Sequence, residues 1–285
     1  MLEVTDRLRH YPCDLSEAQW DTIKDLIPNA RRGGRPRTTN TRMVINAILY
    51  LVNTGCAWRY LPAQFPPWKT VYHYYRVWVF NGTWRKIHEF LKKLLRRIQQ
   101  RNEMPSYLII DSQSIKAQRG EALAYDGFKK VRGRKRQILV DTMGFVHGVH
   151  IHAADLSDTK EGFGVFEKMS DLQRKHIQVL SADMGYRGTF ENCFQQEFNF
   201  LPLIKRRENT GQGKRKTALE KKFWLRNREK IEQPKRWIVE RTFAWFNGYR
   251  RLSRDYEKTL RSSETMIYIA MTQLMLRRIQ TAKLL

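Results

Sequence analysis

The chain has 285 residues, enough for one large domain or two ordinary ones, and 41% are hydrophobic, which excludes a disordered chain. Its 53 Lys+Arg exceed its 28 Asp+Glu and give a formal net charge of +25, so self-repulsion favours a polyanionic partner such as nucleic acid. No apolar run approaches the roughly 18 residues of a spanning helix, and no secretory leader is visible. We therefore expect no membrane association and a cytoplasmic location, which three scattered cysteines also fit.

The first hundred residues carry apolar side chains at the spacing of amphipathic helices. The first helix begins with Ser16 and Gln19, which are spaced as a capping box. The predicted helices cover 15–27, 41–54, 67–80 and 84–100.

The helices at 41–54 and 67–80 are consistent with a helix-turn-helix. The second helix carries Lys69, His73 and Arg76 on a face away from its Trp and Tyr residues. Specific DNA binding by this face is one interpretation, and a plain helical bundle with a solvated basic face is the other.

A basic segment at 31–37 precedes these helices and has no apolar residue to bury. Arg35 and Arg37 flank a proline after two glycines, so the segment could lie extended in a minor groove. The alternative is a basic linker.

After residue 104 the pattern changes to short runs rich in β-branched and aromatic residues, which predicts an α/β sheet with flanking helices. We therefore divide the chain into a helical DNA-binding domain at 1–103 and a second domain at 104–285. Asp158 is expected to be the N-cap of its helix. The predicted strands are 107–111, 136–141, 146–153, 177–182 and 198–203, with helices at 158–170, 189–197, 234–248 and 263–279. A basic insertion occupies about 205–233.

Three acids have the pattern of a site that transfers phosphoryl groups. Asp111 and Asp183 each end an apolar strand, and Glu240 lies in a helical pattern among basic residues. Carboxylates in this arrangement can hold two divalent ions on either side of a reacting phosphate. Singly, the alternative for each aspartate is a turn cap, and for the glutamate a solvated helix face. His150 and His152 share a strand face, although two histidines alone make a weak metal site.

The motifs around these acids resemble those of DDE transposases of bacterial insertion sequences, in the insertion-sequence-five family. The resemblance extends over nearly the whole chain and is carried by the segments Leu15-Ser-Glu-Ala-Gln-Trp20, Ile110-Asp-Ser-Gln-Ser-Ile-Lys116, Gly133-Arg-Lys-Arg136, Ala182-Asp-Met-Gly-Tyr186 and Arg236-Trp-Ile-Val-Glu240. It implies an RNase H-like core with a mixed sheet. It also implies that Asp111, Asp183 and Glu240 bind two Mg²⁺ ions, with Mn²⁺ as a substitute.

The larger group of related transposases has a sequence signature around its glutamate. Arg236 and Glu240 fit this signature. Gln233 and Asn247 stand where that signature has Tyr and Lys, so Arg250 or Arg251 would contact phosphate instead. Other expected DNA contacts are the basic or aromatic residues Lys116, Arg134, Lys135, Arg136, Tyr186, Arg187, Arg236 and Arg241.

The resemblance further implies double-stranded DNA as partner, namely the terminal inverted repeats of an element and a target. Synapsis of two ends implies a homodimer or larger complex in the bacterial cytoplasm, at the nucleoid. Two alternatives remain open. One is an RNase H-like nuclease without strand transfer, and the other is a DNA-binding repressor with an inactive core.

Overall fold

The computed structural model describes residues 11–30, 33, 36–198, 202–204 and 235–283. The chain forms two compact units: Met1–Glu103 with Phe246–Leu285, and Met104–Trp245. Arg35, Gln233 and the basic insertion at 205–233 lie outside the described residues. Among the residues described, none of the helices combines the length and the apolar character needed to cross a bilayer.

The elements follow one another along the chain with the helices first and the sheet after them. The helices are α1 (Glu17–Ile23), α2 (Thr41–Thr54), α3 (Trp68–Phe80), α4 (Thr83–Ile98), α5 (Asp158–Glu161), α6 (Phe163–Glu167), α7 (Asp171–Lys175), α8 (Thr189–Phe198), α9 (Trp237–Asn247) and α10 (Leu260–Lys283). The strands are β1 (Tyr107–Lys116), β2 (Ala124–Asp126), β3 (Val131–Asp141), β4 (Val146–Ala153), β5 (Val179–Ala182) and β6 (Leu203–Ile204).

The four amino-terminal helices confirm the helical pattern of the sequence, including its first cap. Ser16 accepts a hydrogen bond from the Gln19 amide while the Gln19 side chain accepts one from the Ser16 amide, so both halves of the capping box form. The connection from α2 to α3 spans residues 55–67 and includes a 3₁₀ turn at Trp58–Tyr60, so it is longer than the short turn of most helix-turn-helix motifs.

The long helix α10 belongs to the helical unit, where it packs along α4 and α2. The Gln273 side chain accepts a hydrogen bond from Asn53 at 2.7 Å and donates one to the Cys13 carbonyl at 2.8 Å. The second compact unit is therefore shorter than the domain expected at 104–285, because Phe246–Leu285 belongs to the unit of the amino-terminal helices. Along the first part of the chain, the two compact units divide between Glu103 and Met104.

The second unit is built on a mixed sheet in the order β2-β3-β1-β5-β6, with β4 also paired to β3. Strands β1, β3 and β4 form an antiparallel meander, whereas β5 runs parallel to β1 and β6 parallel to β5. The strand predicted at 198–203 is displaced, because Phe198 is the last residue of α8 and the strand is Leu203–Ile204.

One face of this sheet is covered by an aromatic cluster. Phe166, Phe190 and Phe194 are essentially buried there, and their rings lie 4.8–6.3 Å apart. The helix expected over 158–170 is broken into α5 and α6, which meet at Gly162. A Cβ at Gly162 would lie 2.9 Å from the Phe190 ring, so the small residue lets this corner pack on the cluster.

We predict that two glycines with left-handed backbones differ in the cost of substitution. Gly55 (φ +71) would place a new Cβ 3.1 Å from the Arg250 Cβ, whereas Gly82 (φ +73) has nothing within 4 Å. Gly82→Ala should cost about 1–2 kcal/mol of unfolding free energy through backbone strain alone. Gly55→Ala should cost more, because contact adds to strain. Urea denaturation of both variants checks this, and equal losses would contradict the contact.

Candidate active site

Asp111 and Asp183 lie side by side because the strands that carry them are parallel neighbours. Ile109 of β1 is paired with Ser181 of β5, and each acid follows its paired residue by two positions. Side chains two residues apart on a strand point to the same face. The register therefore brings both carboxylates to one level at the carboxyl end of β5, although β1 continues to Lys116, so only Asp183 follows the end of its strand.

Each carboxylate is held by a backbone amide. The Asp111 Oδ1 accepts a hydrogen bond from the Ser112 amide at 2.8 Å, and the Asp183 Oδ1 accepts one from the Gly185 amide at 2.7 Å. A Cβ at Gly185 would lie 2.9 Å from the Asp183 Oδ1, so a side chain there would push on the carboxylate. The amide contacts leave the Oδ2 atom of each acid to other partners.

Arg236 reaches both acids from the residue just before α9. Its Nη2 lies 3.9 Å from the Asp111 Oδ2 and 3.8 Å from the Asp183 Oδ2. These distances are too long for hydrogen bonds, so the guanidinium acts through its charge. Arg236 thus partly offsets the negative charge of the pair, and its place in the signature agrees with this position.

The pKa of Asp111 is raised to about 6, mainly by burial and also by the negative charge of Asp183, while the Ser112 amide, Arg236 and Lys129 oppose the rise. A carboxylate with this pKa lacks compensating positive charge. Oxygen ligands of this kind are those that Mg²⁺ prefers. The pair therefore fits a divalent cation.

Glu240 is not drawn into the pair. It is exposed in the first turn of α9, one turn beyond Arg236. Among the described residues, no group of three or more His, Cys, Asp or Glu side chains has an arrangement that could hold a metal ion. The structure thus brings two of the three predicted acids together.

Helix α9 is tied to the turn between β3 and β4. The Arg241 Nη2 donates to the Met143 carbonyl at 3.0 Å, and the Thr242 hydroxyl donates to the Gly144 carbonyl at 3.0 Å. The Arg241 guanidinium also lies 4.7 Å from the Trp237 ring and 4.8 Å from the Trp245 ring. Arg241, expected to contact DNA, is instead partly buried as part of this anchor.

Asp158 is a further acid beside the pair, and the sequence pattern assigned it a different role. The N-cap of α5 is Ser157, so Asp158 is the first helical residue and its expected capping role is wrong. Its Oδ1 lies 3.5 Å from the Lys135 Nζ, and its Oδ2 would lie 3.9 Å from a Cβ at Gly185. The sequence did contain a signal for this arrangement. The preceding Ser157 is a good N-cap, so Asp158 is not needed to cap the helix.

Tyr186 does not occupy the surface position expected of a DNA contact. Its side chain is completely buried, with its ring 5.2 Å from that of Phe190. Burial raises its pKa well above the ordinary value, and the charges of Asp158, Asp111 and Asp183 add to the rise. Tyr186 therefore forms the apolar floor beneath the acids.

The basic run of β3 is likewise buried. Arg134, Lys135 and Arg136 are at most 8% exposed, because β3 lies between β1 and β4 and helices cover the sheet. The Arg134 Nε donates to the Glu121 carbonyl and the Lys135 Nζ to the Leu156 carbonyl, each at 2.8 Å. The DNA contacts expected of these three residues are contradicted. Lys116 and Arg187, by contrast, are exposed.

The two histidines predicted to share a strand face do so. The rings of His150 and His152 are 5.4 Å apart, and the His150 Nε2 lies 3.0 Å from the Glu161 Oε2. His150, His152 and Glu161 thus form a small polar cluster on this face of the sheet.

In the helical unit, the expected DNA contacts divide into exposed and buried residues. Lys69, His73 and Arg76 are exposed on α3, and Arg250 is also exposed. Arg251 is buried against Glu257, with its Nη2 2.7 Å from the Oε1, which contradicts a phosphate contact there. Arg37 is half-buried: its Nη2 donates to the Pro28 carbonyl at 2.8 Å and its guanidinium lies 5.6 Å from the Tyr74 ring.

Comparison with known proteins agrees with the motifs. The family model described as transposase DDE domain matches residues 102–275, and a domain of unknown function assigned to transposases of the IS4/5 family matches residues 15–88. The uncharacterized protein y4sN of Sinorhizobium fredii is 29% identical over 122 residues, which are 42% of this chain and 88% of that protein. The insertion element IS402 uncharacterized 16.2 kDa protein of Burkholderia cepacia is 31% identical over 110 residues, which are 36% of this chain and 73% of that protein.

We predict that Asp111 lowers stability at neutral pH in the absence of metal. Its folded-state pKa of about 6 lies above the ordinary 3.8, so the folded state binds the extra proton and loses stability as the pH rises from about 4 through 6. In EDTA at pH 7, Asp111→Asn should be more stable than wild type by up to about 3 kcal/mol. Below about pH 4 the difference should vanish. Glu167→Gln, on an exposed helix position, is the control, and a pH-independent gain would contradict the assignment.

Proposed function

Since the chain belongs to the family of transposases with a DDE domain, we propose that it binds the inverted-repeat ends of its own element and catalyses cleavage and strand transfer. The observation that carries the proposal is the Asp111–Asp183 pair at one level of two parallel strands, with Arg236 facing both. Water would attack the phosphodiester at the element end and release a 3′-hydroxyl. That hydroxyl would then attack the target strand.

We further propose that Asp111 and Asp183 hold the divalent metal and that Glu240 completes the set. When bound, two Mg²⁺ ions, or Mn²⁺ in their place, would supply an activated nucleophile and stabilise the leaving oxygen. Arg236 orients the two carboxylates through its charge, and the buried Tyr186 excludes water below them. Exposed Lys116 and Arg187 are placed to neutralise substrate phosphates.

We propose that the exposed face of α3, with Lys69, His73 and Arg76, binds the element ends. Work on two ends at once calls for a homodimer or larger synaptic complex, formed at the nucleoid in the bacterial cytoplasm. The net charge of +25 supports a polyanionic partner. A nuclease without strand transfer has the same site, so only joined products distinguish it. For a repressor, which only binds DNA, carboxylates at this position would weaken binding because they repel the phosphates.

Cleavage should depend on each of the three acids. Labelled element-end DNA is incubated with Mg²⁺ and wild type, Asp111→Asn, Asp183→Asn or Glu240→Gln. Loss of a metal ligand should lower the rate by at least about 100-fold, because the metal contributes several kcal/mol to the transition state. Glu167→Gln, also exposed on a helix, should cleave as wild type does.

The same experiment separates the three candidate functions. Nicked ends joined to target support the transposase, and nicked ends that never join support the nuclease. Tight binding without cleavage in Mg²⁺ or Mn²⁺ would support the repressor. Wild-type cleavage by Glu240→Gln would remove Glu240 from the metal set.

Binding of element ends should lose salt dependence when the α3 cations are removed. Lys69→Ala and Arg76→Ala should each lower the slope of log affinity against log salt by about 1, because each neutralises one phosphate. Lys24→Ala is the control, since Lys24 pairs with Asp21 at 2.7 Å away from α3. Unchanged slopes in both α3 variants would mean that another surface binds DNA.

A further inference from the structure

The hairpin between β2 and β3 displays an aromatic side chain in solvent. Phe128 is 94% exposed, more than any other large apolar side chain in the described residues. It lies in the four-residue turn Gly127–Lys130. The exposed residues Lys129 and Lys130 directly follow it. With so little of its surface covered, the Phe128 ring contributes little to the packing of the described part of this unit.

The turn that carries Phe128 is held in one shape. The Asp126 Oδ1 accepts hydrogen bonds from the Phe128 amide at 3.1 Å and the Lys129 amide at 2.9 Å, and its Oδ2 accepts one from the Ser114 hydroxyl at 2.7 Å. Asp126 is buried, so water competes poorly for these bonds. The exposed ring therefore projects from a fixed support and not from a loose loop.

The same contacts place the turn near the acid pair. Ser114, which binds Asp126, lies on β1 only three residues beyond Asp111. Lys129 is close enough to Asp111 for its charge to lower the pKa of that carboxyl. The turn is thus tied to the part of β1 that follows Asp111, close to the site proposed to cleave DNA.

The chemistry of the turn selects a class of ligand. A phenyl ring has no hydrogen-bonding group, so it can stack on the flat face of any nucleobase without reading its identity. Bases inside a duplex have both faces covered by neighbours, whereas an unpaired base at a strand end has a free face. Two lysines beside the ring suit the phosphates that flank such a base and disfavour an apolar protein partner.

We propose that Phe128 stacks on an unpaired base of the DNA strand held at the Asp111–Asp183 pair. Lys129 and Lys130 contact the adjoining phosphates. The inference rests on the proposed function, because it requires DNA at this site. It adds a base-stacking position that holds the strand end open near the reacting phosphate.

The test uses short duplexes that carry 2-aminopurine either as an unpaired overhang base or within the paired region. Binding is measured in EDTA, so that no cleavage occurs. Stacking on Phe128 should quench the unpaired probe with wild type and with Phe128→Trp, which retains a flat ring. Phe128→Ala should bind without this quenching, and its preference for the unpaired over the paired duplex should fall about 5- to 100-fold.

Two matched variants control for other effects. Tyr125→Ala removes a 57% exposed ring from the same hairpin and should behave as wild type. Phe128→Ala should keep the wild-type salt dependence, whereas Lys129→Ala with Lys130→Ala should reduce it. Equal quenching by wild type and Phe128→Ala would overturn the inference while leaving the proposed function intact. Failure of wild type to bind either duplex would overturn both, and a lower oligomeric state of Phe128→Ala would assign the ring to a second copy.

Discussion

The repulsion between two carboxylates on neighbouring parallel strands is the constraint on which the site depends. The register of β1 against β5 fixes their level, so neither Asp111 nor Asp183 can move away without disturbing the sheet. Burial and, to a lesser degree, the negative charge of Asp183 raise the pKa of Asp111 to about 6, although the Ser112 amide and the more distant charge of Arg236 oppose the rise. The site therefore has an excess of negative charge that a divalent cation would neutralise. Without the cation, this excess lowers the stability of the folded protein.

The sequence predicted this pair well because each acid directly follows a strongly apolar run. It predicted the helices for the same reason, since their spacing repeats over several turns. It could not predict that β1 continues to Lys116. Ser112, Gln113 and Ser114 look like a loop, yet each pairs with a residue of β3, and such pairing is tertiary information. The break at Gly162 was also hidden, because it depends on the nearby Phe190 ring.

The roles of the basic residues were the least predictable part. A formal charge of +25 suggests that most cations face a polyanion, but several of them are core residues. Arg134 and Arg136 are buried within the sheet, Lys92 is buried beside Glu89 at 2.7 Å, and Arg251 is buried beside Glu257. Composition alone cannot separate a cation that binds a phosphate from one that binds a carbonyl or carboxylate within the fold. Among the described residues, the exposed cations of α3 and of the hairpin turn are among those that remain available to a polyanion.

The attachment of α9 to the turn after β3 has a consequence for how such chains diversify. Arg241 and Thr242 fix the helix through the carbonyls of Met143 and Gly144. The position of Arg236 is therefore set from its carboxyl-terminal side. A change in the length of the β3–β4 turn would therefore also move the arginine relative to the acids, so related chains can vary this turn only where Arg236 keeps its place.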